Sequence, residues 1–568
     1  MNKISRFFII LLCSMGSLNA QDIEGLNQAT PFAWSGALAV QTGFYQANGI
    51  GDRSPSSIWS LSSNMNFTLY DQLNLPFSFT VGRYGTQSSY PTFGQVGLSP
   101  SYKWATLHLG HRNMTFSPYT LAGHTFLGTG IEITPGKFRF SAMYGKLRNA
   151  AEVDTTYSYV QPSFKRLGYG FKIGVGNEEQ YVDLILFKAK DDAQSLVESQ
   201  ESITPAENLV LGVSAQFSLF KRVFVHYDVA GSIFTRDMNS LAIFIEDTPK
   251  VYETFLSNNF FEAKASTRTN LANKVSINYQ HPKAFNIRFE YERIDPQYET
   301  MGAYFFANDL ERLTLGSSMN LFKNKVSLRG SYGIQRNNLL KNRLETTQKN
   351  IGSANLDIHP NAQFGMNVNY SNYSIYQEAG RFDLNDTVAF NLATTTVGIV
   401  PRLNIQRANI IHSFFINANY QKSNQDNDLF FGKNQDFESQ MASLNYTLVL
   451  LTSQFTLNTA INYHAFSVAG TTTELLGGTL GVNLSFLEGK WTLGLSNSLN
   501  ARHLNGVGDG NTFNANLAIN FRPSSAHSLG LNVGWLNNFL TASNDFSEIR
   551  GGLVYSYLIG PAGKKTPR

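Results

Sequence analysis

The sequence predicts an all-β protein, an antiparallel up-and-down β-barrel that crosses a membrane with strands. Three observations predict it. Apolar and polar residues alternate with period two from about residue 34 almost to the end. Charge is scarce: Asp, Glu, Lys and Arg make up 15% of the chain, against roughly 25% in ordinary soluble domains. Aromatics are abundant, 13% with 43 Phe and 26 Tyr, yet no apolar run reaches the ~18 residues that a membrane helix needs. In lipid, every backbone N–H and C=O must find a partner within the protein. Without a spanning helix, only a closed barrel meets that demand.

The chain opens with a targeting segment, residues 1–20. Lys3 and Arg6 form a basic head, Phe7–Cys13 a short apolar run, and Ser14–Ala20 a mostly small or polar end. This is a secretory signal peptide, with cleavage expected between Ala20 and Gln21. Cys13 is the single cysteine, and Leu12 before it is not the small residue that lipidation requires. The mature chain is therefore expected to have no disulfide, thiolate nucleophile or cysteine metal site. Its net charge falls from +4 to about +2 on loss of Lys3 and Arg6, which gives no reason to expect a nucleic-acid partner. Residues 21–33 read as a short periplasmic lead, 34–558 as the barrel and 559–568 as a periplasmic tail. So short a lead leaves no room for a plug domain ahead of the first strand.

The strands follow from the alternation. Phe285, Ile287, Phe289 and Tyr291 alternate with Asn286, Arg288, Glu290 and Glu292; Phe455, Leu457, Ile461 and Tyr463 alternate with Thr456, Asn458, Ala460 and Asn462. One face suits lipid and the other a wet lumen. Tyr, Phe and Trp gather at strand ends, as interfacial girdles require. A soluble sandwich, β-helix or propeller is the rival, with turns of similar length on both sides. Here short turns such as Pro135–Gly136 and Lys323–Asn324 alternate with long loops such as 47–57, 236–268 and 373–393. The count is about 24 strands (22–26), with short turns and both ends periplasmic and long loops external.

One stretch resists this count. Tyr102–Gly110 and Leu127–Thr134 both look like strands, and two crossings there would put Pro135–Gly136 outside. Thr86–Thr125 is therefore expected to be one long insertion folded into the lumen. A barrel this wide would leak if open, since diameter grows with strand number. Tyr90, Phe93, Tyr102, Trp104 and Tyr119, among several prolines and glycines, are the candidate plug. Irregular backbone is tolerated at membrane depth where protein buries it.

Near the C-terminus, Arg550, Gly552, Tyr555 and Tyr557 have the spacing polar, glycine, aromatic, hydrophobic. This resembles the assembly signal of large Gram-negative outer-membrane barrels. The resemblance implies an outer-membrane location, contact with its lipid, and docking on the barrel-assembly machinery. That signal often ends the chain, whereas here Leu558 to Arg568 follow. Phe116–Leu121 with Phe138–Gly145 is similar to a stretch of uncharacterised outer-membrane barrels of the Bacteroidota, a resemblance that implies no function.

Chemistry is thinly signalled. His108, His111 and His124 form the densest histidine group, but His108 and His111 would point to opposite faces of a strand, so polar packing is preferred to a metal site. Asp426, Asn427 and Asp428 hint at calcium, yet Phe431 stands where the loop motif needs glycine. Neither a nucleophile elbow nor a His-Glu-x-x-His is present. No catalytic residue, metal or cofactor is expected, and an enzyme ranks third. Thr248-Pro249 marks a helix start in an external loop, and Tyr298, Tyr304, Phe305 and Phe306 form an aromatic cluster in another. Such clusters serve as a lid or a partner surface, or simply pack on each other. The expected function is a plugged or gated conduit for solutes or polypeptides. The alternative is an accessory barrel of an envelope complex.

Overall fold

Period-two alternation gives each strand a lipid face and a lumen face, and the computed structural model shows what those strands build. It describes residues 30–83, 95–152, 162–196, 203–242, 261–282, 284–304, 306–381, 389–426, 436–541 and 545–560. The signal peptide with Ala20 and Gln21, the Thr248-Pro249 helix start, Tyr90, Phe93 and Phe305, and most of the Asp426–Asp428 site lie outside them.

The wall starts with β1 (Phe32–Asn48), β2 (Ser57–Leu69) and β3 (Leu73–Arg83). β4 (Gln95–Leu98) and β5 (Ser101–Tyr102) follow, then β6 (Ala105–Asn113), β7 (Thr125–Ile133), β8 (Phe138–Arg148), β9 (Arg166–Gly176) and β10 (Tyr181–Asp191). The next arc is β11 (Glu207–Leu219), β12 (Val223–Thr235), β13 (Thr267–Gln280), β14 (Phe285–Ile294), β15 (Leu310–Leu321), β16 (Val326–Arg336), β17 (Glu345–Ile358) and β18 (Phe364–Ala379). The last is β19 (Phe390–Arg407), β20 (Ile410–Asp426), β21 (Phe437–Leu450), β22 (Phe455–Val468), β23 (Thr471–Phe486), β24 (Trp491–Leu504), β25 (Val507–Phe521), β26 (His527–Leu540) and β27 (Phe546–Ile559). Neighbours pair antiparallel, and β27 returns to β1 in register from Gly36↔Ile559 to Asn48↔Ser547. Because β4 and β5 share one position between β3 and β6, the barrel is closed with 26 strands, at the upper end of the expected range.

The outer face carries exposed aliphatic and aromatic side chains all around the ring, among them Val175, Leu184, Leu315, Ile461 and Leu480. A large exposed apolar surface on a closed barrel is a lipid-facing surface. The chain is a transmembrane barrel of the Gram-negative outer membrane. Periplasmic turns are tight: Tyr70–Asp71, Phe220–Lys221 and Leu487–Glu488 place two successive residues at positive φ, the backbone that matches strand twist in two-residue hairpins.

The expectation of one insertion at Thr86–Thr125 is corrected. Residues 95–102 and 105–113 are two wall strands joined by a turn at Lys103–Trp104. They add two crossings at once, so the inside–outside assignment of every later loop is preserved. The stretch Tyr102–Gly110, which looks like one strand, straddles that turn. Pro100 interrupts the first of the pair because it has no N–H for the ladder, and its carbonyl accepts from Leu107 N–H at 2.8 Å. Tyr102 and Trp104 are thus wall and turn residues, both exposed, and not filler. The segment that does enter the lumen is shorter, Met114–His124, between β6 and β7.

Candidate functional site

Most of the fully buried apolar side chains of this barrel gather at one place inside it. From the loop Met114–His124 come Met114, Phe116, Tyr119 and Leu121; from the loop 295–309 between β14 and β15 come Tyr298 and Met301. Both pack on the inner wall of β7 to β15, so they form one buried cluster seated on one arc of the ring, at the place where a plug is expected. Tyr119 was among the candidate plug residues; its fellow lumen residues Met114, Phe116 and Leu121 were not.

The register explains the seat. Cross-strand partners share a face, and one rung reads Lys172–Ile185–Gly212–Ala230–Ala272–Ile294–Leu310 from β9 to β15. The rung above it reads Gly130–Met143–Gly170–Phe187–Val210–Ser232. Apart from Lys172 and Ser232, small and apolar side chains replace the polar ones expected on a wet lumen. Gly130 and Gly170 let the loop approach the wall: a Cβ there would come within 2.4 Å of Met114 Sδ and 3.0 Å of Phe116. The sequence held a signal for this seat. In Leu184-Ile185-Leu186-Phe187 both faces are apolar, which marks a strand covered on both sides.

The two loops lock together through their backbones. Tyr298 donates its hydroxyl to the Tyr119 carbonyl at 2.7 Å and Thr300 donates to the Thr120 carbonyl at 2.7 Å. Ala122 N–H donates to Gly302 O at 2.9 Å. A Cβ at Gly302 would lie 2.2 Å from Thr120 O, so only glycine permits this approach. Wall groups hold the second loop in turn: Met301 N–H donates to Asn208 Oδ1 at 3.0 Å, and Ser232 donates to Glu299 O at 2.6 Å. The aromatic cluster foreseen around Tyr298 packs on this plug; Phe306 lies edge-on to Tyr119, with centroids 6.3 Å apart.

His124 ends the inward loop, stacked on Tyr304 at 4.0 Å. Its Nδ1 lies 2.9 Å from Thr125 O, and a carbonyl only accepts, so Nδ1 carries the proton. Burial depresses its pKa to about 4, despite that hydrogen bond. Tyr119 is pushed the other way, far above the phenol's ordinary value, by burial first and then by the charge of Glu292, to which it donates at 2.7 Å.

One rung to the periplasmic side of the seat, the wall changes character. It reads Arg139–Gly174–Asp183–Ser214–Asp228–Lys274–Glu292–Arg312. The charges largely compensate each other. Arg139 grips Asp183 through two bonds of 2.8 and 3.0 Å, His226 donates to Asp228 at 2.7 Å, and Arg312 pairs with Glu292. Lys274 and Arg288 both reach Glu290 at 2.9 Å. A recess of about 450 Å³ opens here under Pro118 of the plug, with Asp228 Oδ1 and Asn278 Oδ1 buried and unpartnered.

The opposite arc is different. From β21 to β26 the inner rungs read Thr447–Asn458–Gly481–Ser496–Asn516–Gly534 and Asn445–Ala460–Thr479–Ser498–Asn514–Leu536. They carry no charge and, apart from Leu536, only small or polar side chains, and among the described residues no buried cluster covers them.

The three histidines do not meet. His108 bonds Ser99 and Glu132 inside the wall, His111 accepts from Val96 N–H, and His124 belongs to the plug. Among the described residues no group of three or more His, Cys, Asp or Glu side chains is placed to hold a metal. Arg550, Gly552, Tyr555 and Tyr557 lie in β27 at the closing seam, opposite Tyr45, Gly43, Val40 and Leu38. His527 bonds the Tyr555 hydroxyl at 2.8 Å and stacks on Tyr557.

No family model matches the sequence, and no curated protein does. Among solved structures the chain is similar to the translocation pore of the P pilus usher PapC, at 11% identity, 93% coverage of this chain, 99% of that one and a TM-score of 0.37. It is also similar to the ferric enterobactin receptor PfeA of Pseudomonas aeruginosa, at 10% identity, 92% and 80% coverage and a TM-score of 0.38. The outer-membrane protein OpdK of Pseudomonas aeruginosa matches at 10% identity, 67% and 99% coverage and a TM-score of 0.30. Values this low carry no argument about function.

Proposed function

We propose that this barrel is a conduit through the outer membrane for solutes or polypeptides, constricted by its own Met114–His124 loop. The single observation behind the reading is the asymmetry of the lumen. One arc seats a locked plug, while the facing arc is hydrophilic and, among the described residues, has no buried cluster on it, as the lining of an aqueous path would. The plug narrows a ring whose strand number otherwise leaves a wide bore.

Replacing Thr115–Gly123 by a four-residue Gly-Ser turn tests this, because Asn113 and Thr125 already pair at the open end of the β6–β7 hairpin. Removing residues 86–125 would delete two wall strands and test nothing. In planar bilayers the turn variant conducts at least about twofold more than the wild type, as widening of the bore requires. An unchanged single-channel conductance in a folded turn variant would sink the proposal.

An accessory role in an envelope complex is the second reading. It is favoured by Phe261, which folds from an external loop onto the outer wall over Leu186, Leu209 and Ile233, beside the Lys188–Glu207 ion pair at 2.9 Å. That patch is built more like an interface than like a lipid face, and co-purification of another envelope protein would favour it. Docking of the β27 signal on the assembly machinery, and kinship with Bacteroidota barrels, belong to the same proposal and rest on the sequence resemblances alone.

A further inference from the structure

We propose that the middle rungs of the inner wall of β21–β26, which carry no charge below the Arg502–Asp509 ion pair at the external end, are a binding track for neutral polyhydroxylated chains, that is, for glycans. The inference deepens the conduit reading, since it takes this wall to face the water-filled part of the lumen.

The wall is an ordered carpet of amides. Asn483 stands directly across from Gly494, Asn500 from Gly477, Asn516 from Gly534 and Asn520 from Gly530; Asn369 and Gly398 repeat the pairing on β18 and β19. In each pair the amide lies across its glycine. A Cβ built on the glycine would stand between 2.3 and 3.1 Å from the amide oxygen. Glycine therefore does a specific job here: it leaves a slot in which asparagine lies along the wall instead of projecting into the bore. Further amides are fixed by single wall bonds, Thr447 donating to Asn458 Oδ1 at 2.9 Å and Asn462 donating to Thr479 at 3.0 Å. An amide offers two donor and two acceptor positions, so one wall bond orients it and leaves the rest for a ligand.

The ligand class follows from what the wall has and lacks. A recess of about 430 Å³ runs over it, bordered by Phe415 and by Asn445, Asn458, Asn483 and Asn516, with no ionisable residue in its lining. A charged solute would find no counter-charge there. An apolar solute would leave the amides unsatisfied, which is expensive. A sugar hydroxyl is donor and acceptor at once, like the amide facing it, and the C–H face of a sugar ring packs on an aromatic ring such as Phe415. Polypeptides share the hydrogen-bonding groups but bring charged and bulky apolar side chains, for which this wall has no counterpart.

Calorimetric titration of the full-length protein in a zwitterionic or amine-oxide detergent tests the track, because maltoside and glucoside detergents would themselves occupy it. The probes are maltoheptaose, cellohexaose and mannohexaose as neutral glycans, hexagalacturonate as an anionic one, and a Gly-Ser heptapeptide. At least one neutral glycan saturates the protein, and hexagalacturonate and the peptide bind at least about fivefold more weakly, the worth of about one lost hydrogen bond. Gly494→Ala with Gly534→Ala pushes two amides off the wall without changing charge, and weakens the neutral glycan by a similar factor. Asn458→Leu does the same by removing an amide, should the alanine pair fail to fold, and Arg329→Gln in β16, outside the track, leaves binding unchanged. Failure of all three neutral glycans to saturate, equal or tighter binding of the anion or peptide, or indifference to both wall variants would overturn the proposal. Binding in micelles needs no current. A silent bilayer with saturable glycan binding removes the conduit and keeps the site, and conduction without glycan binding does the reverse.

Discussion

The two arcs of this lumen are made from one strand pattern and yet obey different energetics. On β7–β15 the inner face is buried beneath the plug, and its charges sit in fixed pairs on the rung below. On the conduit reading the middle rungs of β21–β26 are solvated, and their polar groups are amides and hydroxyls with links such as Thr447–Asn458 and Asn462–Thr479. Burial makes the first arc brittle, since removing one partner strands the other away from water. Solvation makes the second tolerant, since water replaces a lost bond. The lesson is that period-two alternation reports which face is lipid-facing but says nothing about how the other face is used.

The sharpest way to break this contrast is Arg139→Ala. Asp183 is 2% exposed and loses both of its bonds, so the variant is destabilised by about 3–5 kcal/mol. Heat-modifiability on gels, read as the temperature at which the folded band disappears, checks it; a shift no larger than that of a surface variant would show that the charged arc is wet. Next comes Tyr119→Phe, which deletes the hydroxyl bonded to Glu292 and costs the plug about 1.5–3 kcal/mol. Its readout is faster backbone hydrogen exchange across Met114–His124 while the wall strands keep their protection.

Acidification gives a smaller effect on the same loop. His124 is held neutral when folded, with its pKa lowered from 6.5 to about 4 by burial. A depressed histidine contributes stability that is fully present above 6.5 and is lost as pH falls towards 4, because only the unfolded or undocked form takes up the proton in that window. At pH 5.5 the plug is weaker by ~1.4 kcal/mol, one pKa unit's worth, and His124→Phe abolishes the dependence. Hydrogen exchange of the loop, corrected for its intrinsic pH dependence, should show this between pH 7 and pH 4. A flat profile would remove His124 from the latch. The smallest effect belongs to the other arc: Thr447→Ala loses its bond to Asn458 and shifts stability by less than ~1 kcal/mol. A loss as large as that of Arg139→Ala would erase the distinction between the arcs.

How much of this was legible before the structure depends on how local the signal is. The wall was legible because alternation and turn spacing are written along the chain, and the outer-membrane location was implied by the resemblance of Arg550–Tyr557 to an assembly signal. The two extra strands were missed because the Lys103–Trp104 turn contains no Gly, Pro, Asn or Asp; Lys103 itself takes a φ of 50°, which no composition rule announces. Trp104 and Tyr102 are as aromatic as Tyr119, and only pairing tells a wall residue from a lumen one. The asparagine–glycine pairs were not legible at all. Each joins residues on different strands, and their meeting depends on a register fixed only when the barrel forms.

The latch also imposes an order of events on the folding molecule. Tyr119 and Tyr298 are 179 residues apart, and every strand of the seat lies between or beside them. Until β7–β15 have paired, the inward loop has nowhere to dock, and its apolar residues stay uncovered. Contacts of such long sequence separation form late and slowly. The docked loop is therefore a record that the first half of the ring was assembled correctly: a cell that could sense the undocked loop would have a means of inspecting unfinished barrels.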